Sequence, residues 1–157
     1  MPGHGVNDPV GAWELVAHRI IDLATSKSID FPLSEHVRGL ITYTRDGHMS
    51  VQITAPASPP YADVVLPGGT IEERAAAAHG YLAYVGTYTI TEDTVVQHHV
   101  DCSLFPNWEN TPVPRRATID NHQQLRLELV QPLIVDGKER GGVPVWKRLG
   151  AQVDQDP

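Results

Sequence analysis

Cysteine is nearly absent from this chain: Cys102 is the single one in 157 residues. That excludes an internal disulfide framework and any cysteine-rich zinc module. It leaves a reduced thiol in a protein expected in the cytoplasm. Positive charge is also scarce, with 12 Lys and Arg against 19 Asp and Glu and a net charge of −7. A nucleic-acid partner would require a basic face, so none is expected. There is no basic amphipathic stretch to lie on a membrane. The apolar runs fall well short of the ~18 residues needed to span one. The opening "MPGHGVNDPVG" has neither the basic region nor the apolar stretch of a secretory leader. GxGxxG, Walker, HExxH and GxSxG patterns are all missing, which removes motif support for nucleotide, metalloprotease and hydrolase readings. No cofactor and no metal are expected.

What remains is an ordinary globular composition, with 41% hydrophobic and 20% charged residues, enough for one domain around one core. Residues 1–10 and 150–157 are polar, Gly-, Pro- or Asp-bearing ends expected to be loose, and 11–149 is the expected domain. Within it, short β-branched and aromatic runs alternate with turn signals. "AWELVAHRI" (12–20) comes first; "RGLITYT" (38–44) and "HMSVQITA" (48–55) flank an Asp46-Gly47 hairpin signal. Residues 57–69 carry paired prolines and read as a loop. "TIEERAAAAHGYLAY" (70–84) begins as a helix, with Thr70 and Glu73 spaced for a capping box and Gly80 to end it. Strands resume at 83–90 and 94–103, joined by a turn at Glu92-Asp93, then at 113–119, 124–130 and 143–149. The stretch "DGKERGG" (136–142) reads as a Gly-rich turn. About eight short strands and one short helix predict an all-β fold, an antiparallel barrel whose closure removes the exposed edges.

Alternation along the strands sorts the side chains. In 95–103 it groups Val96, His98, Val100 and Cys102 on the apolar face and sends His99 with Gln97 and Asp101 to the other. Adjacent histidines on a strand therefore diverge, and a zinc site would need at least three converging ligands. A single inward histidine is the better reading. The same rule groups Met49, Val51 and Ile53; Tyr84, Tyr88 and Ile90; Leu125, Leu127 and Leu129; and Tyr43 with Ile41. In 113–119 it places Arg115 among Val113, Ala117 and Ile119. A buried arginine must be paired or bound to an anion; the alternative is a place at the barrel mouth or on a bulge. A closed barrel of this size has room for one small ligand, and an apolar interior with a few hydroxyl, imidazole and guanidinium groups suits one.

Several longer segments then resemble a known family, the bacterial and fungal lipocalin-like domain proteins. "GAWELV" looks like the Gly-x-Trp opening of lipocalins, and "RGLITYTRDGHMSVQI" and "GYLAYVGTYTI" are similar to family strands. "VVQHHVDCSLFPNWENTPVPRRATID" resembles the family's most typical stretch, and "PVWKRL" its closing strand. The resemblance covers roughly residues 11–149 and implies a calycin-type barrel with a ligand cavity. It implies that Trp108 caps one end of the barrel, while Trp13 sits at the other beneath Arg148. Two positions depart from the pattern: His48 stands where an aromatic is usual, and His79 where an apolar residue is frequent.

Fold leaves activity open. The first reading is a cofactor-independent isomerase or cyclase acting on a hydrophobic, natural-product-like intermediate of secondary metabolism. There His98 is the acid/base, Tyr84 donates to a carbonyl and Arg115 holds a carboxylate or oxyanion. Tyr43, Met49, Val51, Tyr88, Val100 and Trp108 are the candidate ligand contacts. The alternative is a carrier or sink for a hydrophobic metabolite, with His98 satisfied by protein groups. An interaction module with a filled interior ranks third. An outer face, with Trp108 or the 57–69 loop in it, is available for pairing two copies.

Overall fold

The computed structural model describes residues 8–29, 36–56, 59–91 and 94–150. Eight of the eleven strands among the described residues close an antiparallel barrel. These are β1 (Gly11–Ala17), β3 (Arg38–Tyr43), β4 (His48–Thr54), β5 (Tyr81–Ile90), β6 (Val95–Ser103), β7 (Pro112–Ile119), β8 (Gln124–Leu129) and β11 (Val145–Arg148). Around the barrel they run β1-β11-β8-β7-β6-β5-β4-β3, and β3 returns to β1. The remaining strands, β2 (Ile20–Asp22), β9 (Leu133–Val135) and β10 (Lys138–Gly142), form a second sheet in the order β2-β10-β9. Among the described residues one α-helix, α1 (Ile71–His79), lies outside the barrel. No helix among the described residues is long and apolar enough to cross a membrane.

Period-two patterning builds the core. Ile41 and Tyr43, Met49, Val51 and Ile53, Val113 and Ala117, and Leu125 and Leu127 are all buried. Trp13 is fully buried, and its indole N–H donates to the Pro9 carbonyl at 2.8 Å. The Arg148 guanidinium covers its ring at 4.1 Å and donates to the carbonyls of Val10 and Asp8. Asp8–Val10, at the edge of the expected loose N-terminus, are thus bound to the barrel; residues 1–7 and 151–157 lie outside the described residues.

Three expectations change. The run 12–20 breaks after Ala17, and its last residue begins β2, which leaves the barrel to pair with β10. The segment read as a turn at 136–142 is mostly strand: Asp136 (φ 52°) and Gly137 (φ 71°) make the tight turn of a hairpin between β9 and β10. Two consecutive positive φ values are what a two-residue hairpin needs, and Asp-Gly is a common solution. Finally, Cys102 does not share the inward face with His98. Val100 pairs with Gly86 but Cys102 pairs with Val85, so Asp101 is an extra residue in β6, a β-bulge. Beyond it the alternation inverts, and Cys102 is exposed. The turn expected at Glu92-Asp93 falls outside the described residues.

Helix α1 forms as its sequence requires. The Thr70 hydroxyl accepts from the Glu73 N–H at 3.1 Å, and the Glu73 carboxylate accepts from the Thr70 N–H at 2.8 Å. None of its residues is buried, so it depends on this cap rather than on packing. Thr70→Ala is expected to cost the helix about 1 kcal/mol. Hydrogen exchange should show faster exchange of the amides over 71–79 with little change in Tm.

A cavity with a tyrosine–histidine–tyrosine wall

A cavity of about 530 Å³ opens inside the barrel, and Trp13 is not part of its lining. This volume suits a small organic ligand. Its walls are mainly apolar, from Ile41, Val51 and Ile53 on one side to Leu127 and Leu129 on the other. The second sheet supplies Leu133 to Val135, and the corner after β6 supplies Phe105 and Trp108. The Trp108 ring meets Tyr84 edge-on at 5.7 Å, and Phe105 meets Trp108 in the same way.

One stretch of wall is polar. His98 is 1% exposed yet lines the cavity. Its Nε2 lies 2.8 Å from the Tyr43 hydroxyl and its Nδ1 lies 2.9 Å from the Tyr84 hydroxyl. Both ring nitrogens are therefore hydrogen-bonded to protein. Burial lowers the His98 pKa to about 3, and the nearby Arg115 guanidinium and, less, His99 push the same way. The imidazole stays neutral at ordinary pH. Burial raises both tyrosines, Tyr43 well above its usual value, although the Arg115 guanidinium opposes this. His99 sits on the outer face of β6, near the Thr89 hydroxyl.

Arg115 is on the inward face of β7, half-buried, and lines the same cavity. Its guanidinium donates to the carbonyl of Pro114 at 3.1 Å, and among the described residues it has no carboxylate partner. Trp146 also lines the cavity; its buried indole N–H has no hydrogen-bond partner among the described residues. Such a donor is uncommon in a folded interior.

The structure thus brings His98, Tyr84 and Arg115 to one cavity, with Val51 and Trp108 beside them. Four other candidate contacts do not reach it. Tyr43, Met49 and Val100 belong to one row of cross-strand neighbours, through Met49–Gly86 and Gly86–Val100, packed beneath the cavity floor. Tyr88 packs edge-on against Tyr43 at 4.9 Å and donates to the Thr44 carbonyl. Alternation gives the inward face but not the depth. His48 is exposed beside Asp46, and neither it nor His79 lines the cavity. Trp146 and the lining from β9 and β10 were missed by sequence reasoning. The closing Trp was visible as a strand residue; the β9–β10 hairpin was taken for a turn. Among the described residues no three of His, Cys, Asp and Glu stand together as a metal site.

Comparison with known proteins fits this geometry. The family model described as a lipocalin-like domain matches residues 10–149. The chain belongs to that family. A 4'-hydroxy-3'-methoxypropiophenone carrier protein from Aspergillus oryzae is 35% identical over 108 residues, spanning 64% of this chain and 96% of that protein. A small-molecule-binding barrel is what this lipocalin-like fold, its cavity and that relative together support.

Proposed function

We propose that this lipocalin-like protein is a carrier that sequesters a small, largely apolar organic molecule without transforming it. The observation that carries this reading is the state of His98: both nitrogens are bound to tyrosines and the ring is held neutral. A histidine with a pKa of about 3 and no free nitrogen is poorly placed to take a proton from a ligand. The hydrogen-bonded group it belongs to is fixed and positions Tyr84 at the cavity. The relative named as a carrier for an aryl ketone supports the same reading and makes that ketone the first probe.

Incubation with 4'-hydroxy-3'-methoxypropiophenone should quench tryptophan fluorescence saturably, because Trp108 and Trp146 line the cavity. Mass spectrometry of the released molecule should return it unchanged. Recovery of an isomer or a cyclised or dehydrated product in catalytic amounts would replace the carrier with an enzyme. That second reading is favoured by one observation, the convergence of Tyr84, His98 and Arg115 on one cavity; it requires His98→Ala to remove turnover in a folded protein. Arg115→Gln is expected to weaken binding by roughly 1.5–3 kcal/mol, or about tenfold to a hundredfold in Kd, by removing a charged donor. Titration calorimetry on both proteins measures it.

A further inference from the structure

Three hydrogen-bonded groups, two in the cavity wall and Tyr43 behind it, share a fixed number of protons, and their positions decide where the spare one lies. A neutral imidazole carries one N–H, and Tyr43 and Tyr84 each carry one O–H. Two of these three protons make the two hydrogen bonds to His98, so one remains. If Nε2–H donated to Tyr43, the spare proton would sit on the Tyr43 hydroxyl. That hydroxyl is buried beneath the floor, does not line the cavity and has no other hydrogen-bond partner among the described residues. A buried donor left unmatched is costly. If instead Tyr43 donates to Nε2 and Nδ1–H donates to the Tyr84 oxygen, the spare proton belongs to Tyr84. Tyr84 lines the cavity, where a ligand can accept it.

We infer that Tyr43 fixes His98 as its Nδ1–H tautomer, so that Tyr84 presents a hydroxyl proton to the cavity and selects ligands with a hydrogen-bond-accepting oxygen, a carbonyl foremost. This rests on the carrier reading and names the chemistry of its ligand. Two of the other polar side chains in the lining point to the same class, while His18, also in the lining, carries an imidazole that can donate or accept. The Arg115 guanidinium and the Trp146 indole N–H are donors only, and the Trp146 donor is unmatched. Asp136 is the one carboxylate in the lining, and it is exposed. The cavity therefore offers donors in its buried wall to a ligand whose body is apolar and whose oxygen accepts. His98 acts here as a positioning residue, through Tyr84.

Two measurements test this separately. Nitrogen-15 NMR of the histidine side chains in the empty protein reads the tautomer: Nδ1 of His98 should carry the proton and Nε2 should not. A proton on Nε2 overturns the inference. In the second, propiophenone and propylbenzene are titrated into wild type and Tyr84→Phe. The pair shares its carbon skeleton and differs at one carbonyl. Tyr84→Phe should weaken propiophenone about tenfold and change propylbenzene less than twofold. Equal losses for both probes, or none for either, overturn the inference while leaving the carrier intact. If neither probe binds wild type, the carrier reading loses its support and the tautomer alone upholds or overturns the proton assignment. The tautomer also decides if Tyr84→Phe does not fold.

Discussion

Lowering the pH from 7 to 3 is expected to remove roughly 3–5 kcal/mol of folding stability through His98 alone. In the unfolded chain this histidine titrates near its ordinary value of 6.5, and in the barrel near 3. Between those values the unfolded state binds a proton that the native state refuses, so stability falls as pH falls. The contribution is fully present above 6.5 and is lost progressively down to about 3. Carboxylates lose stability in the same acid range, so a single curve does not isolate the histidine. Urea denaturation of wild type and His98→Gln as a function of pH does. The variant should start less stable at pH 7, because it disturbs the hydrogen bonds to Tyr43 and Tyr84, and should then fall less steeply. Parallel curves would mean that the native barrel accepts the proton on His98 without penalty, and that the wall opens to water in acid.

The second large effect is expected from Gly86→Ala. A β-carbon at this position would lie 1.8 Å from the carbonyl oxygen of His99, which is backbone and cannot rotate away. Gly86 stands opposite the bulge, where β6 carries one residue more than β5. Its missing side chain allows the two strands to stay paired there. Restoring a side chain must push β5 and β6 apart, at an expected cost of about 2–4 kcal/mol, measured by urea denaturation. The effect should not stop at stability. Tyr84 lies two residues from Gly86 on β5, and His98 lies one residue from His99 on β6. Ligand affinity should fall with the 2.9 Å contact between Tyr84 and His98. A variant with wild-type stability and affinity would show that the strands separate locally at little cost.

These two residues also divide what was legible from what was not. The inward placement of His98 and Arg115 could be read from alternation, because a strand in a half-buried sheet must put every second side chain on the core side. The bulge could not be read, because an inserted residue has no composition of its own. Asp101 and Cys102 look like a continuation of the alternation, and only the pairing with Val85 shows that it inverts. The β9–β10 hairpin is a different kind of miss. Asp136-Gly137 is the same signal as Asp46-Gly47, but the strand after it, "KERGG", has no apolar alternation to frame it.

The sequence by itself determined the all-β class, the capped helix, and which face of each barrel strand meets the core. These follow from local chemistry: side-chain alternation, turn residues, and a hydroxyl and a carboxylate three positions apart. Only the tertiary structure decided which inward side chains border empty space and which fill it. Tyr43, Met49 and Val100 are as inward as His98 and Val51, yet they pack beneath the cavity floor. That depends on how far each strand is staggered against its neighbours when the barrel closes, and stagger is a property of the pairing around the whole ring. The partners of His98 were settled the same way. Tyr43 reaches Nε2 from 55 residues away, on a strand that is not a neighbour of β6, and Tyr84 reaches Nδ1 from 14 residues away on the adjacent β5, where the register of the pairing decides the contact.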